Sequence, residues 1–357
     1  MITFDSDLER DTSNPLMDYI ESINQLLLPM QTRQPLVVDL FAGCGGLSLG
    51  FEAQGFETHG FEMDASCCTT YRANLRGACT QVVLTPETVL PPATVVIGGP
   101  PCQPFSVGGK QMGLRDSRDG FPTFVAAVAR LQPAIWLFEN VRGVFYRNKT
   151  YLEEVIETLR GLGYTVDVKM MNAVAYGVPQ NRERVVVVGH DGSFTFPHSD
   201  PKRPKVTAGE ALGDLATSTP PESKYLTTSM DAYIARYEKA SACKRPRDLH
   251  LKQPSRTLTC RNLAGATGDM LRVRLPDGRR RRLLLEEAAR LQSFPDWFTF
   301  YGSEASRFNQ VGNAVPPLFA YHLAASVRKY LELNRHDSPQ EVGRSNPFIQ
   351  LRLLETV

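Results

Sequence analysis

Three short segments carry the residue types that could do chemistry. The first is Gly98-Gly-Pro-Pro-Cys102-Gln-Pro-Phe-Ser106, in which two glycines and two prolines fix a stiff loop around a cysteine. A cysteine in a polar loop at the end of the apolar run Val95–Ile97 is well placed as a nucleophile; the competing reading is a small buried hydrophobe. The second is Glu139-Asn140-Val141, which follows the apolar run Ile135–Phe138. A carboxyl group there faces the same crevice as Cys102 and serves as a general acid if burial raises its pKa. The third is Gln180-Asn-Arg182-Glu-Arg184, ahead of Val185–Val188. Strand alternation puts Gln180, Arg182 and Arg184 on one face. Two arginines on one face clamp a phosphate or a base carbonyl, or are simply a pair of surface cations.

These segments need a scaffold, and the sequence supplies its outline. Leu36–Leu40 opens into Asp39-Leu-Phe-Ala-Gly-Cys-Gly-Gly-Leu-Ser-Leu-Gly-Phe51, a strand, a glycine turn and a helix. Glycines there let backbone N–H groups approach a nucleotide-type ligand. Glu62-Met63-Asp64 stands about twenty residues on, where an acid accepts hydrogen bonds from ribose hydroxyls. Short apolar runs alternate with helix-like segments such as Phe121–Leu131 and Tyr151–Leu162. That alternation predicts a parallel α/β sheet with its polar residues at the carboxyl ends of the strands. By itself the glycine loop also fits an NAD-dependent oxidoreductase, which leaves the other segments unexplained.

The rest of the chain is less regular. Leu16, Tyr19, Ile20, Ile23, Leu26 and Leu27 recur at helical spacing, predicting a short amphipathic helix packed on the main body. Residues 191–253 are rich in Pro, Ser, Thr, Lys and Arg, with weak periodicity. Leu271–Leu275 alternates apolar and basic before Asp277-Gly278, a hairpin signal. Residues 272–282 hold six arginines against one aspartate, a cluster suited to a polyanion unless it is a solvated basic face. Glu286–Leu291 reads as helix, and Ala314–Tyr330 contains a helix that returns to the first domain.

Composition narrows the class. In 357 residues, 42% are hydrophobic and 22% charged, which argues against wholesale disorder and leaves ample core for one large domain or two unequal ones. The net charge of +2 is too small to argue for a nucleic-acid partner, so local clusters must carry that argument. Seven cysteines, an odd count without metal-ligand spacing, speak against a disulfide framework and a zinc site. No signal peptide or membrane span is expected, and the location expected is cytoplasmic.

In order along the chain, DLFAGCGG, the Glu62 region, GGPPCQPFS, Asp116-Ser-Arg118, ENV, QNRER, Pro254-Ser-Arg-Thr-Leu-Thr259, EAARLQSFPDWF and Gln310-Val-Gly-Asn-Ala-Val-Pro-Pro317 resemble the cytosine-C5 DNA methyltransferases of prokaryotic restriction–modification type. The resemblance runs from about Pro35 to Tyr330. It implies a Rossmann-like α/β methyltransferase sheet with a smaller, irregular target-recognition domain, and S-adenosylmethionine as cofactor. Cys102 would add to C6 of cytosine, Glu139 would engage N3, and Arg182 and Arg184 would contact the base carbonyl and the backbone. Phe41, Gly43, Gly45, Leu47, Glu62, Met63, Pro100 and Asn313 would hold the cofactor. Gln103, Ser106, Asn140 and Gln180 would meet the substrate, joined by Arg272, Arg274, Arg279 and Arg280 on DNA. Thr80–Pro86 lacks the acid that often contacts the adenine amino group, leaving Gln81 or Thr80 as a stand-in.

The expected organisation is an extension at 1–34, a catalytic and cofactor domain at 35–190, a target-recognition region at 191–285 with its core at 191–253, a return at 286–333 and a tail at 334–357. The expected partner is double-stranded DNA, with a separately acting cognate endonuclease allowed, no metal, and a monomer. The runner-up is a tRNA cytosine methyltransferase of the same architecture, disfavoured because its Cys-Phe-Thr tripeptide is missing. A catalytically silent DNA-binding relative is disfavoured because Cys102 and Glu139 are both present.

Overall fold

A computed structural model of the chain describes residues 18–30, 35–101, 119–240, 242, 247–264 and 268–334. Cys102, Gln103, Ser106, Asp116 and Arg118 lie outside the described residues.

In chain order the strands are β1 (Leu36–Leu40), β2 (Glu57–Glu62), β3 (Ala78–Gln81), β4 (Val95–Gly98), β5 (Ile135–Val141), β6 (Thr165–Asn172), β7 (Gln180–Asn181) and β8 (Glu183–His190). Seven of them form one sheet in the order β3-β2-β1-β4-β5-β8-β6. The central strands are apolar runs because both of their faces are covered. Alternate residues feed two cores. Val37, Val95, Ile97, Leu137, Val186 and Val188 pack on one face; Val38, Val96, Trp136, Phe138, Val185 and Val187 pack on the other.

One expectation needs correction: the sheet is not wholly parallel. β8 runs antiparallel between β5 and β6. The connection at 173–182 holds only a 3-10 turn and β7, whereas a parallel return needs a crossover of a dozen or more residues. The reversal brings Arg184 opposite Val141 and Val186 opposite Glu139, so the basic segment enters the sheet at the carboxyl end of β5.

The helices are α1 (Tyr19–Leu26), α2 (Gly46–Ala53), α3 (Ala65–Asn74), α4 (Phe121–Leu131), α5 (Arg142–Arg147) and α6 (Lys149–Gly161). They continue with α7 (Ala208–Leu212), α8 (Thr228–Ala240), α9 (Cys260–Leu263), α10 (Leu285–Leu291), α11 (Glu304–Asn313) and α12 (Pro317–Asn334). The expected α1 is present, and it is integral: Ile23 and Leu27 are buried in the main core, and Tyr19 Oη donates to the Arg290 carbonyl at 2.8 Å. α12 lies close on α2, since a Cβ at Gly50 would come within 2.4 Å of the Tyr321 nitrogen.

A third core holds the second unit to the first. It joins Leu212, Leu249, Leu258, Leu271, Val273 and Leu283 to Phe294, Phe308 and the Ala42–Cys44 turn. Within it, β9 (Ser255–Arg256) pairs with β7, and the hairpin of β10 (Arg272–Arg274) and β11 (Arg280–Arg282) forms as the Asp277-Gly278 turn predicts. Segments far apart in sequence therefore converge on the carboxyl edge of the sheet.

Candidate active site

The loop that leads to Cys102 is tied to the end of β5. Asn140 donates from Nδ2 to the Pro100 carbonyl at 2.9 Å, and its Oδ1 accepts from the Val141 N–H at 2.8 Å. Both polar atoms of Asn140 are thus used in holding the loop, and the residue is buried rather than presented to a substrate. Beside it, Oε1 of Glu139 lies 2.8 Å from Nε of Arg184. The pair is nearly buried, and that oxygen has no hydrogen bond of good geometry. Glu139 is thus held at the strand end with a cation fixing its direction. Cys102 follows Pro100 by two residues, a span of at most roughly 7 Å.

The two arginines of the QNRER segment have different jobs. Arg184 stands in the cleft. Arg182 is buried behind it, donating from Nη1 to the Leu258 carbonyl at 2.8 Å and from Nη2 to the Ala314 carbonyl at 3.0 Å. Burial, and then the neighbouring Arg184 charge, push its pKa down to about 9. Arg182 therefore clasps the 254–259 segment and the turn between α11 and α12, which corrects its expected place on the base. Gln180 is likewise fully buried. Its amide donates to the Leu291 carbonyl at 3.2 Å and Oε1 accepts from the Leu258 N–H at 2.8 Å. It is a bracket within the protein, where a DNA contact was expected.

The glycine turn sits at the carboxyl ends of β1 and β2. Phe41 and Gly43 have φ of 61° and 55°, and a Cβ at Gly43 would meet nothing within 4 Å. That face of the turn is open to a ligand. Glu62 accepts from the Gly43 N–H at 2.9 Å and from the Met63 and Asp64 N–H groups at 2.8 Å. Asp39 is buried beneath, bonded on Oδ2 by Ser48 at 2.7 Å while Oδ1 has no partner. Burial raises its pKa to about 7. Met63 is exposed at the edge and Leu47 is buried below the turn. Gln81 reaches the Met63 carbonyl at 3.4 Å, and Thr80 is held by His59 at 2.8 Å. Asn313 closes the far side, its Oδ1 accepting from the Cys260 thiol at 2.8 Å. Glu62, which has no paired cation among the described residues, and the open backbone turn beside it fit a positively charged nucleoside ligand.

A profile of the family described as C-5 cytosine-specific DNA methylase matches residues 36–329. The chain belongs to that family. The Type II methyltransferase M.AplI of Arthrospira platensis is 55% identical over 318 residues, covering 89% of this chain and 91% of the relative. M1.HphI of Haemophilus parahaemolyticus, also a Type II methyltransferase, is 35% identical over 325 residues, covering 82% and 86%. The fold is that of the Schizosaccharomyces pombe Dnmt2 methyltransferase, with a TM-score of 0.66 at 15% identity over 83% of this chain and 99% of that one. The Entamoeba histolytica methyltransferase EhMeth gives 0.65 at 16% identity over 84% and 99%.

In this methylase the arginine hairpin differs from its expected form. Arg272 is fully buried, paired with Asp248 at 2.8 Å and Glu238 at 3.0 Å. Arg281, also fully buried, makes two bonds of 2.7 and 2.8 Å to Glu287. Arg280 is mostly buried between Asp231 and Asp248. Arg272 is therefore corrected from a DNA contact to an internal tie, and Arg280 largely follows it. Arg274 and Arg279 are the outward ones, 58% and 57% exposed, and Arg279 lies over the Tyr225 ring at 4.5 Å.

The structure also shows a cleft of about 490 Å3 beside the Glu139–Arg184 pair that the sequence did not single out. Arg142, Asn172, Asn181 and Thr257 line it with Arg184. A basic residue directly after the ENV segment was the one signal for it. No helix among the described residues is long and apolar enough to cross a membrane.

Proposed function

We propose that this methylase transfers a methyl group from S-adenosylmethionine to C5 of a cytosine flipped out of a specific duplex DNA sequence, as the modification enzyme of a restriction–modification system. The observation that carries the reading is the Asn140–Pro100 hydrogen bond beside the Glu139–Arg184 pair. It holds the start of the Cys102 loop against a carboxyl group at a strand's carboxyl end.

The chemistry follows from what cytosine lacks. C5 in the aromatic ring is a poor nucleophile. Addition of the Cys102 thiolate to C6 forms an S–C6 bond and drives the electron pair toward N3, where Glu139 supplies a proton or hydrogen bond. C5 becomes enamine-like and takes the methyl group as its bond to the sulfonium breaks and a neutral thioether leaves. Water takes the C5 proton, the C6–S bond breaks to release the Cys102 thiolate, and N3 returns its proton to Glu139, which restores the ring. Extrusion of the base costs a few kcal/mol, which backbone contacts offset. Arg184 directs Glu139 and stands ready for the base carbonyl, while Gln103 and Ser106 would meet the extruded strand.

S-adenosylmethionine supplies an electrophilic methyl group when bound. Phe41, Gly43, Gly45, Leu47, Glu62, Met63, Pro100 and Asn313 would hold it, with the Glu62 charge favouring a cation. The enzyme would act in the cytoplasm, as a monomer, on chromosomal DNA, with residues 191–285 reading the sequence.

The test is nucleoside analysis after incubation with labelled S-adenosylmethionine and either sonicated genomic DNA or tRNA. The expected result is 5-methylcytosine in DNA and none in tRNA. Label in tRNA alone contradicts the reading.

A further inference from the structure

The cleft beside the Glu139 carboxylate has a cationic rim held by an exposed ion pair. Arg142 opens α5, one residue past β5, and its Nη1 lies 2.5 Å from Oε2 of Glu183. Both side chains are exposed, at 64% and 44%. Arg142 also sits 5.9 Å from the centre of the Tyr146 ring, itself 66% exposed, and Val141 beside it is 48% exposed. The cleft of about 490 Å3 runs between this rim and Asn181, Thr257 and Arg184.

Arg184 belongs to both places: it lines the cleft and directs Glu139. A base seated on Glu139 therefore has its sugar and phosphate next to the cleft. An exposed apolar and aromatic edge with a cation over it suits a sugar–phosphate strand. Glu183 is the mismatch, a carboxylate facing the path of a polyanion. Its ion pair is worth little in water, so exchanging it for a phosphate is cheap.

We propose that Arg142 is a DNA-binding residue that swaps partners, held by Glu183 in the free enzyme and transferred to a phosphate flanking the flipped cytosine when DNA enters the cleft. Glu183 thereby acts as a competing counter-ion that weakens DNA binding and keeps Arg142 aimed across the cleft. This rests on the proposed reading of Glu139 and Arg184 as the base site.

The test is a double-mutant cycle of Arg142→Gln and Glu183→Gln. Methylation of sonicated, unmethylated genomic DNA at limiting DNA gives kcat/KM at salt from about 50 to 200 mM. Equilibrium binding of the same DNA is measured by fluorescence anisotropy in parallel, and thermal melts check folding. R142Q is expected to make the slope of log affinity against log salt shallower by about 0.9, the loss of one phosphate contact, with KM for the methyl donor unchanged. E183Q is expected to raise DNA affinity about twofold to fivefold in the wild-type background and by clearly less in the R142Q background, where only repulsion of the phosphate is relieved. An equal gain from E183Q in both backgrounds, or an unchanged salt slope in R142Q, overturns the exchange. Binding that follows this cycle without any methylation of DNA would instead overturn the proposed function and leave the exchange standing.

Discussion

The carboxyl edge of the sheet and the arginine hairpin hold the same two kinds of charge and put them to opposite uses. At the sheet edge Arg184 has one acid among the described residues, Glu139, and the pair borders open volume. In the hairpin, Arg272 and Arg281 are fully buried among Glu238, Asp248 and Glu287. The difference lies in the counter-charges. Asp248 alone takes Arg272, Arg274 and Arg280, and its carboxyl is held below the usual range, with arginine hydrogen bonds outweighing burial. A run of arginines becomes a surface field only where remote acids leave it unpaired.

The largest expected effect separates chemistry from architecture. Glu139→Gln should lower kcat by about 10²- to 10⁴-fold, the range for a lost general acid, with a small change in melting temperature. Rate assays and thermal melts on the same preparation decide it; a normal kcat would place Glu139 among the structural acids of the hairpin.

Next comes Arg281→Met, which leaves Glu287 buried and unpaired. Stability should fall by about 3–5 kcal/mol, read from urea titration, while methylation per folded molecule is retained. A stable variant with weak DNA binding would return Arg281 to the surface.

A smaller effect divides the hairpin itself. Arg272→Met should cost on the order of 1–3 kcal/mol, because Asp248 and Glu238 lose a buried donor. Arg274→Ala, on the exposed side of the same strand, should stay within about 0.5 kcal/mol and show its effect in the salt dependence of DNA binding. Reversal of that order would break the distinction between the two faces.

The smallest is a pH effect at Asp39, an acid with no paired cation among the described residues. Its pKa is raised from 3.8 to about 7 by burial, so the folded state holds a proton that the unfolded state releases. Stability from this group is therefore lost as pH rises from about 4 to about 7. Asp39→Asn should raise the melting temperature by a few degrees above pH 7 and by little near pH 4. A gain that does not vary with pH would show that Asp39 ionises normally.

Much of the scaffold is legible in the sequence because burial on both faces forces apolar runs. β1, β4, β5 and β8 are such runs, and α4 at Phe121–Leu131 falls where its pattern predicts. β6 is harder to see, since Thr165–Asn172 lies at the sheet edge and carries mixed polar residues. The antiparallel course of β8 depends on a connection length rather than on its own residues. In the site, Glu139 and Arg184 stand together at the strand end, a pairing that neither segment shows by itself. The fates of Arg182, Gln180 and Arg272 were hidden because their partners, Leu258, Leu291 and Asp248, lie 76, 111 and 24 residues away. Arg142 is marked only by its place directly after the ENV segment, which does not by itself show that an exposed arginine lines a cleft.

In the proposed reaction Cys102 attacks C6 of cytosine beside Glu139. Duplex DNA containing 5-fluorocytosine tests it directly, because fluorine cannot leave C5 as a cation and the adduct cannot collapse. Sonicated DNA substituted with this base, incubated with enzyme and S-adenosylmethionine, should give a denaturation-resistant protein–DNA complex whose modified peptide contains Cys102, and Cys102→Ser should give none. A complex that persists in Cys102→Ser, or an adduct mapped to Cys260 instead, would contradict the account.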